Sequence, residues 1–134
     1  MVGVGVTPAS GIAKNVAGLD VDANGFIPVD SSMATSLPGV WAAGDVAAFP
    51  LQGFSEERVT IGHWGLAMYL GKTAALAMLG RQVSRNLRPL IALHWCNQVE
   101  VSTVPFFWTV QFGKSLRYAG HGHGWEDVIY QAIY

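Results

Sequence analysis

Asp45 is the acid in this chain best placed to bind a ligand. It closes the run Thr35-Ser36-Leu37-Pro38-Gly39-Val40-Trp41-Ala42-Ala43-Gly44-Asp45. That run reads as a Pro-Gly turn, a buried strand over residues 40–43, then a glycine and a carboxylate at the strand's carboxyl end. In open α/β sheets, ligands sit beyond the carboxyl ends of strands. Ala42 and Ala43 keep the strand slim, and Gly44 permits close approach where a side chain would collide. Asp45 offers an acceptor-only carboxylate on a one-carbon stem, suited to hydrogen-bonding a sugar-like hydroxyl. Gly-Asp alone is a turn dipeptide, so the weight comes from its setting.

Other reactive groups supply less. Cys96 is the single cysteine, which excludes a disulfide within the chain and a Cys-x-x-Cys redox pair. His94-Trp95-Cys96 echoes half of a Rieske box, but such a centre needs two cysteines and two histidines. His121 and His123 flank Gly122 and read as a solvated turn rather than a metal pair. No Ser-His-Asp, Cys-His or paired-carboxylate arrangement is apparent. His63-Trp64 and Trp108 are each open to two readings, as ligand contacts or as ordinary core residues.

The elements that must position these groups follow from pattern. Val2–Val6 reads as a strand leading into a Thr7-Pro8 loop that passes close to a ligand. Ser10–Ala17 reads as a short helix stopped by Gly18, and Asn24-Gly25 as a tight turn before a strand over Phe26–Val29. A helix is expected from near Ser55, through Ile61, Trp64, Leu66, Met68, Ala75, Leu76 and Leu79, with Gly80 closing it. Its Gly62, Gly65 and Gly71 each cost about 1 kcal/mol relative to alanine, which implies close packing against backbone or ligand. Residues 83–98 show no clean period. Residues 99–108, 115–120 and 128–130 read as the start of a small antiparallel β domain.

The 134 residues suffice for one core. Hydrophobic residues make up 51% and charged residues 13%, with a mean hydropathy of +0.31, which is greasy for a free-standing domain. Residues 65–80 are the best membrane candidate, but Lys72 interrupts them and they fall short of about 20 apolar residues. A missing partner surface is the better reading. The net charge is −1 with scattered basic residues, so no nucleic-acid footprint exists. Neither a secretory signal nor a repeat is evident.

The run from Gly25-Phe26-Ile27-Pro28-Val29-Asp30 to Asp45 resembles the second FAD-binding motif of the two-dinucleotide-fold flavoproteins. Thr103-Val104-Pro105-Phe106-Phe107-Trp108 and Gly113-Lys114-Ser115-Leu116-Arg117-Tyr118-Ala119-Gly120 extend the likeness. The chain resembles the C-terminal part of an FAD-dependent NAD(P)H reductase of the ferredoxin-reductase and apoptosis-inducing-factor type. It is most similar to the Rieske-containing branch, apoptosis-inducing factor 3. The likeness covers residues 2–82 and 99–131.

The resemblance implies an α/β, Rossmann-like FAD/NAD(P)-binding fold followed by the start of a small α+β C-terminal domain. Residues 1–8 would be the last strand of the NAD(P)H-binding domain, and 9–82 the C-terminal part of the FAD-binding domain. Residues 99–134 would begin the C-terminal reductase or dimerisation-type domain. Gly44 and Asp45 would bind the ribityl and pyrophosphate region of FAD, while Gly5, Thr7 and Pro8 would line the nicotinamide side. Residues 58–64 would match the family's helix start, with His63 and Trp64 facing the flavin's pyrimidine edge. Gly62 stands where relatives often carry an acid or polar residue. Trp108 would lie near the isoalloxazine ring.

The reaction implied is hydride transfer from NAD(P)H to flavin N5, then electron transfer to an iron–sulfur acceptor. A 2Fe-2S centre would belong to a part of the parent protein absent here. The Gly-x-Gly-x-x-Gly loop that cradles a pyrophosphate is missing, so the chain alone is expected to bind FAD weakly or not at all and to lack activity. The alternatives are a truncated, non-enzymatic interaction protein linked to apoptosis, and a plain NAD-binding domain. Asp45 follows a late strand, which argues against the second. The resemblance allows a homodimer and either a cytoplasmic or a mitochondrial location. Deleting residues 83–98 would join Gln82 to Val99 as a family-like linker. Gln-Val-Ser at 82–84 matches a read-through splice donor, so this segment reads as a retained intron or gene-model error.

Overall fold

In this computed structural model the described residues are 5–51, 58–86 and 100–122, with side chains omitted for 81–86. The chain divides into two units, Met1–Thr103 and Val104–Tyr134.

The first unit is organised by three short strands and one long helix. Strand β1 (Ile27–Pro28) runs parallel to β2 (Ala47–Pro50), in the register Ile27 to Ala47. Strand β3 (Arg58–Val59) adds antiparallel to β2, pairing Val59 with Phe49. Helix α1 spans Trp64–Asn86. It buries Leu66, Leu70, Thr73, Ala74 and Ala77, a spacing that keeps one helical face inward. That face meets a core of Val29, Met33, Ala47, Phe49, Leu51 and Val101.

Several expected boundaries move. The apolar run 40–43 does not become a continuous strand. Trp41 makes an isolated antiparallel bridge to Ala34, supported by Ala42 N–H to Met33 C=O and Thr35 N–H to Val40 C=O. Gly44 then turns with φ +83°, and the Ala47 N–H closes the turn on the Gly44 carbonyl at 3.0 Å. This left-handed glycine breaks the run, so regular pairing begins only at β2. Asp45 therefore stands in the turn ahead of a strand rather than at a strand's tip.

Asp30 holds the other arm of that small ladder. Its Oδ1 accepts from Ser32 N–H, Ser32 O–H and Ala34 N–H, and its carbonyl accepts from Met33 N–H. The network holds the buried Met33 at a left-handed φ of 64°, unusual for a side chain of that size.

Between Ser10 and Ala17 the chain forms only a 3-10 turn at Ala13–Asn15. Gly18 follows with a left-handed φ of 84°. The Asn24-Gly25 turn forms, with Gly25 N–H bonded to Asp22 C=O and Asp22 N–H to Phe26 C=O. Its following strand pairs with β2, because Ile27 and Val29 donate to the Val46 and Ala48 carbonyls.

Helix α1 starts later and ends later than its pattern suggests. Arg58 and Val59 belong to β3, where Arg58 Nε also donates to the Val29 carbonyl at 3.0 Å. Ser55 lies outside the described residues. Gly80 is not among the left-handed glycines, so it forms no αL stop and the helix continues to Asn86.

The second unit holds a hairpin of β4 (Phe106–Gln111) and β5 (Lys114–Ala119), with Gln111 opposite Lys114. Phe112 (φ 52°) and Gly113 (φ 74°) turn it with two left-handed residues, the geometry of a type I′ turn. β5 matches the expected segment 115–120 closely, whereas only residues 106–108 of the expected 99–108 lie in β4, which runs on to Gln111. The strand expected at 128–130 and the unplaced residues 87–98 lie outside the described residues, as do residues 2–4 of the first expected strand. Gly5 and Val6 are in no strand.

Candidate functional site

The Gly44–Asp45 turn meets the start of α1. A Cβ built on Gly44 would lie 3.7 Å from Ala67 Cβ, ordinary contact across turn and helix. A Cβ built on Gly62 would lie 3.7 Å from Asp45 Oδ2, so the carboxylate stands beside the backbone leading into the helix. Asp45 is exposed, and no described residue makes a hydrogen bond or ion pair with it. An unengaged carboxylate next to the positive end of a helix is an open acceptor for a ligand hydroxyl.

His63 is the N-cap residue of α1. Its carbonyl accepts the Ala67 N–H at 2.8 Å and its Nδ1 accepts the Leu66 N–H at 3.3 Å. Trp64, the first helical residue, is 80% exposed. The first turn of α1 carries no acid, and the Asp45 carboxylate stands just ahead of it.

The structure thus brings Gly44, Asp45, His63 and Trp64 to one edge of the first unit. It does not bring the other expected residues to that edge by any described contact. Gly5 and Thr7 are exposed, and Gly5 is left-handed at φ 121°. Pro8 packs instead toward the Asn24-Gly25 turn, its Cγ 3.2 Å from where a Gly25 Cβ would be. Trp108 stands on β4 in the second unit, paired across the hairpin with Arg117 and 63% exposed.

The sequence reading also missed two contributors. Ala67 is the surface on which the Gly44 turn rests, and Asp30 pins the ladder leading to it. The Asp30-Ser31-Ser32 run, a common turn-forming composition, was the available signal for the second.

No cluster of three or more His, Cys, Asp and Glu side chains able to hold a metal occurs among the described residues. No described helix is long and apolar enough to cross a membrane.

Comparison with known proteins now decides the family. The profile of the pyridine nucleotide-disulphide oxidoreductases matches residues 1–71. The chain belongs to that family. It is 44% identical over 131 residues to apoptosis-inducing factor 3 of Homo sapiens, covering 98% of this chain and 19% of that protein. It is 32% identical over 129 residues to the probable ferredoxin reductase CtmF of Castellaniella defragrans, covering 96% and 27%. The crystal structure of Fdr9 superposes with a TM-score of 0.65 at 30% identity, covering 90% of this chain and 27% of the other. The resemblance drawn from the Gly25–Asp45 and Thr103–Gly120 segments is therefore shown. The family is one of FAD-dependent oxidoreductases and implies FAD and NAD(P)H. The chain spans about a fifth to a quarter of the length of these relatives.

Proposed function

We propose that this chain supplies the ribityl-binding edge of an FAD-dependent NAD(P)H oxidoreductase, as part of a longer flavoprotein. One observation carries the reading. In a member of this family, the Asp45 carboxylate is exposed, unengaged by described residues, and set beside the start of α1. Asp45 accepts from ribityl hydroxyls, and the left-handed turn at Gly44 sets that carboxylate beside the start of α1. The first turn of α1 directs amides and the positive helix end toward the flavin's pyrimidine edge, where negative charge gathers on reduction. By the family resemblance alone, Trp108 would lie near the isoalloxazine ring and Gly5, Thr7 and Pro8 near the nicotinamide. Bound flavin supplies hydride acceptance from NAD(P)H and onward electron transfer to an iron–sulfur acceptor, while the protein supplies position and electrostatics.

Without the glycine-rich pyrophosphate loop the chain alone binds FAD weakly and turns nothing over. Thermal melts with millimolar FAD or NAD+ test this reading, because a ligand that binds only the folded state raises the melting temperature. A small rise with FAD and none with NAD+ is expected. A larger rise with NAD+ than with FAD would contradict it, and a yellow purified chain oxidising NADH would overturn its inactivity.

Exposed Trp64, Met68, Leu79 and Phe106 favour one second reading, a non-catalytic interaction protein. Stoichiometric partner without flavin in a pull-down would support that instead.

A further inference from the structure

His63 occupies a helix N-cap, a place usually held by Ser, Thr, Asp or Asn. It caps with its ring: Nδ1 accepts the Leu66 N–H at 3.3 Å. Gly65 provides a second, independent observation. A Cβ there would lie 3.1 Å from His63 Cε1 and 3.5 Å from Nδ1. The imidazole thus lies across the first turn, in room that exists because residue 65 has no side chain. Acceptance at Nδ1 places the ring proton on Nε2. With Leu66 bonded to the ring and Ala67 to the His63 carbonyl, the amides of Trp64 and Gly65 are the ones the helix does not satisfy itself.

From this we infer that His63 is a positioning residue. Its Nδ1 cap, seated in the space left at Gly65, fixes the first turn of α1 beside Asp45, and the ring serves flavin binding through that turn rather than by touching the flavin. The inference rests on the flavin reading above. It replaces direct contact by the His63 side chain with a structural device that asparagine could also provide.

The test compares His63→Ala, which has no cap, with His63→Asn, whose Oδ1 can accept the same amide. Two readouts are taken on the full chain: hydrogen exchange of the Leu66 amide without ligand, and FAD affinity from NMR titration. Loss of an N-cap shifts local opening by about fivefold. Leu66 should exchange about fivefold faster in His63→Ala and near the wild-type rate in His63→Asn, with FAD affinity following the same order. Equal FAD losses in both variants, with Leu66 protection restored by asparagine, would make the imidazole a direct contact and overturn the inference. Unchanged Leu66 exchange in His63→Ala would also overturn it. A wild-type chain that takes no FAD would sink the flavin reading, and the exchange order would still decide the cap.

Discussion

At the proposed flavin site Gly44 contributes backbone shape and Asp45 contributes charge. Gly44 sits at φ +83°, where an L side chain costs about 1–2 kcal/mol. Its Cβ position meets Ala67 at an ordinary 3.7 Å, so strain in the turn and not collision sets the penalty. Gly44→Ala should therefore lower stability by about 1–2 kcal/mol in a denaturant titration. Asp45 was legible in the sequence because Gly-Asp at the end of a slim apolar run is a local pattern. The place of Gly65 was not, because its missing side chain makes room for a ring two residues earlier, and composition carries no trace of that geometry. Arg58 was misplaced for a similar reason. Its position in β3 comes from pairing with β2 and from a bond to Val29, both distant in sequence.

Among the elements, α1 and the hairpin were each legible in part. The second hairpin strand was readable from residues 115–120, while the first was placed too early, and the turn between them demands two left-handed residues. Phe112 meets that demand poorly, at φ 52° and fully exposed. Phe112→Asn should stabilise the hairpin by about 1 kcal/mol, read as slower amide exchange across β4 and β5. Within α1 only Leu66 of the expected apolar positions proved readable as inward, since Trp64, Met68, Leu76 and Leu79 are exposed. The helix's end was not readable, since a glycine stops a helix only when the chain beyond it turns left-handed, and Gly80 does not. Leu70 is fully buried in the helix's inward face. Leu70→Ala should cost about 2–5 kcal/mol, whereas Met68→Ala, 60% exposed, should stay within about 0.5 kcal/mol in the same melts.

For the first unit taken whole, the chain returns to α1 after residues 87–99. The Tyr69 hydroxyl donates to the Ser102 carbonyl and accepts the Ser102 N–H, at 3.3 and 3.2 Å. Val101 is fully buried and donates to the Ser31 carbonyl at 2.8 Å. These contacts set a reach condition on the family-like linker. From Tyr69 to Gln82 the helix axis advances about 20 Å, but a direct join of Gln82 to Val99 leaves extended chain of only about 14 Å to Ser102. The Tyr69 side chain narrows that gap, so a chain lacking residues 83–98 keeps the Ser102 contact most easily by ending α1 earlier. Because the Val101 and Tyr69 contacts are worth more than a frayed last turn, the shortened chain should fold with α1 ending near Gly80, seen as loss of helical amide protection beyond that residue. Gln82 and Val99 look directly joinable in the sequence because nothing local states where the chain must return.

The central claim is that the Asp45 carboxylate grips the polyol of a flavin. An NMR titration of the labelled chain with FAD, repeated with Asp45→Ala, tests it most directly and tolerates weak binding. The account predicts FAD-dependent shifts at Gly44, Asp45, Gly62 and Trp64 that vanish in Asp45→Ala while its melting temperature stays unchanged. Shifts that persist in Asp45→Ala, or that map away from the start of α1, would contradict it.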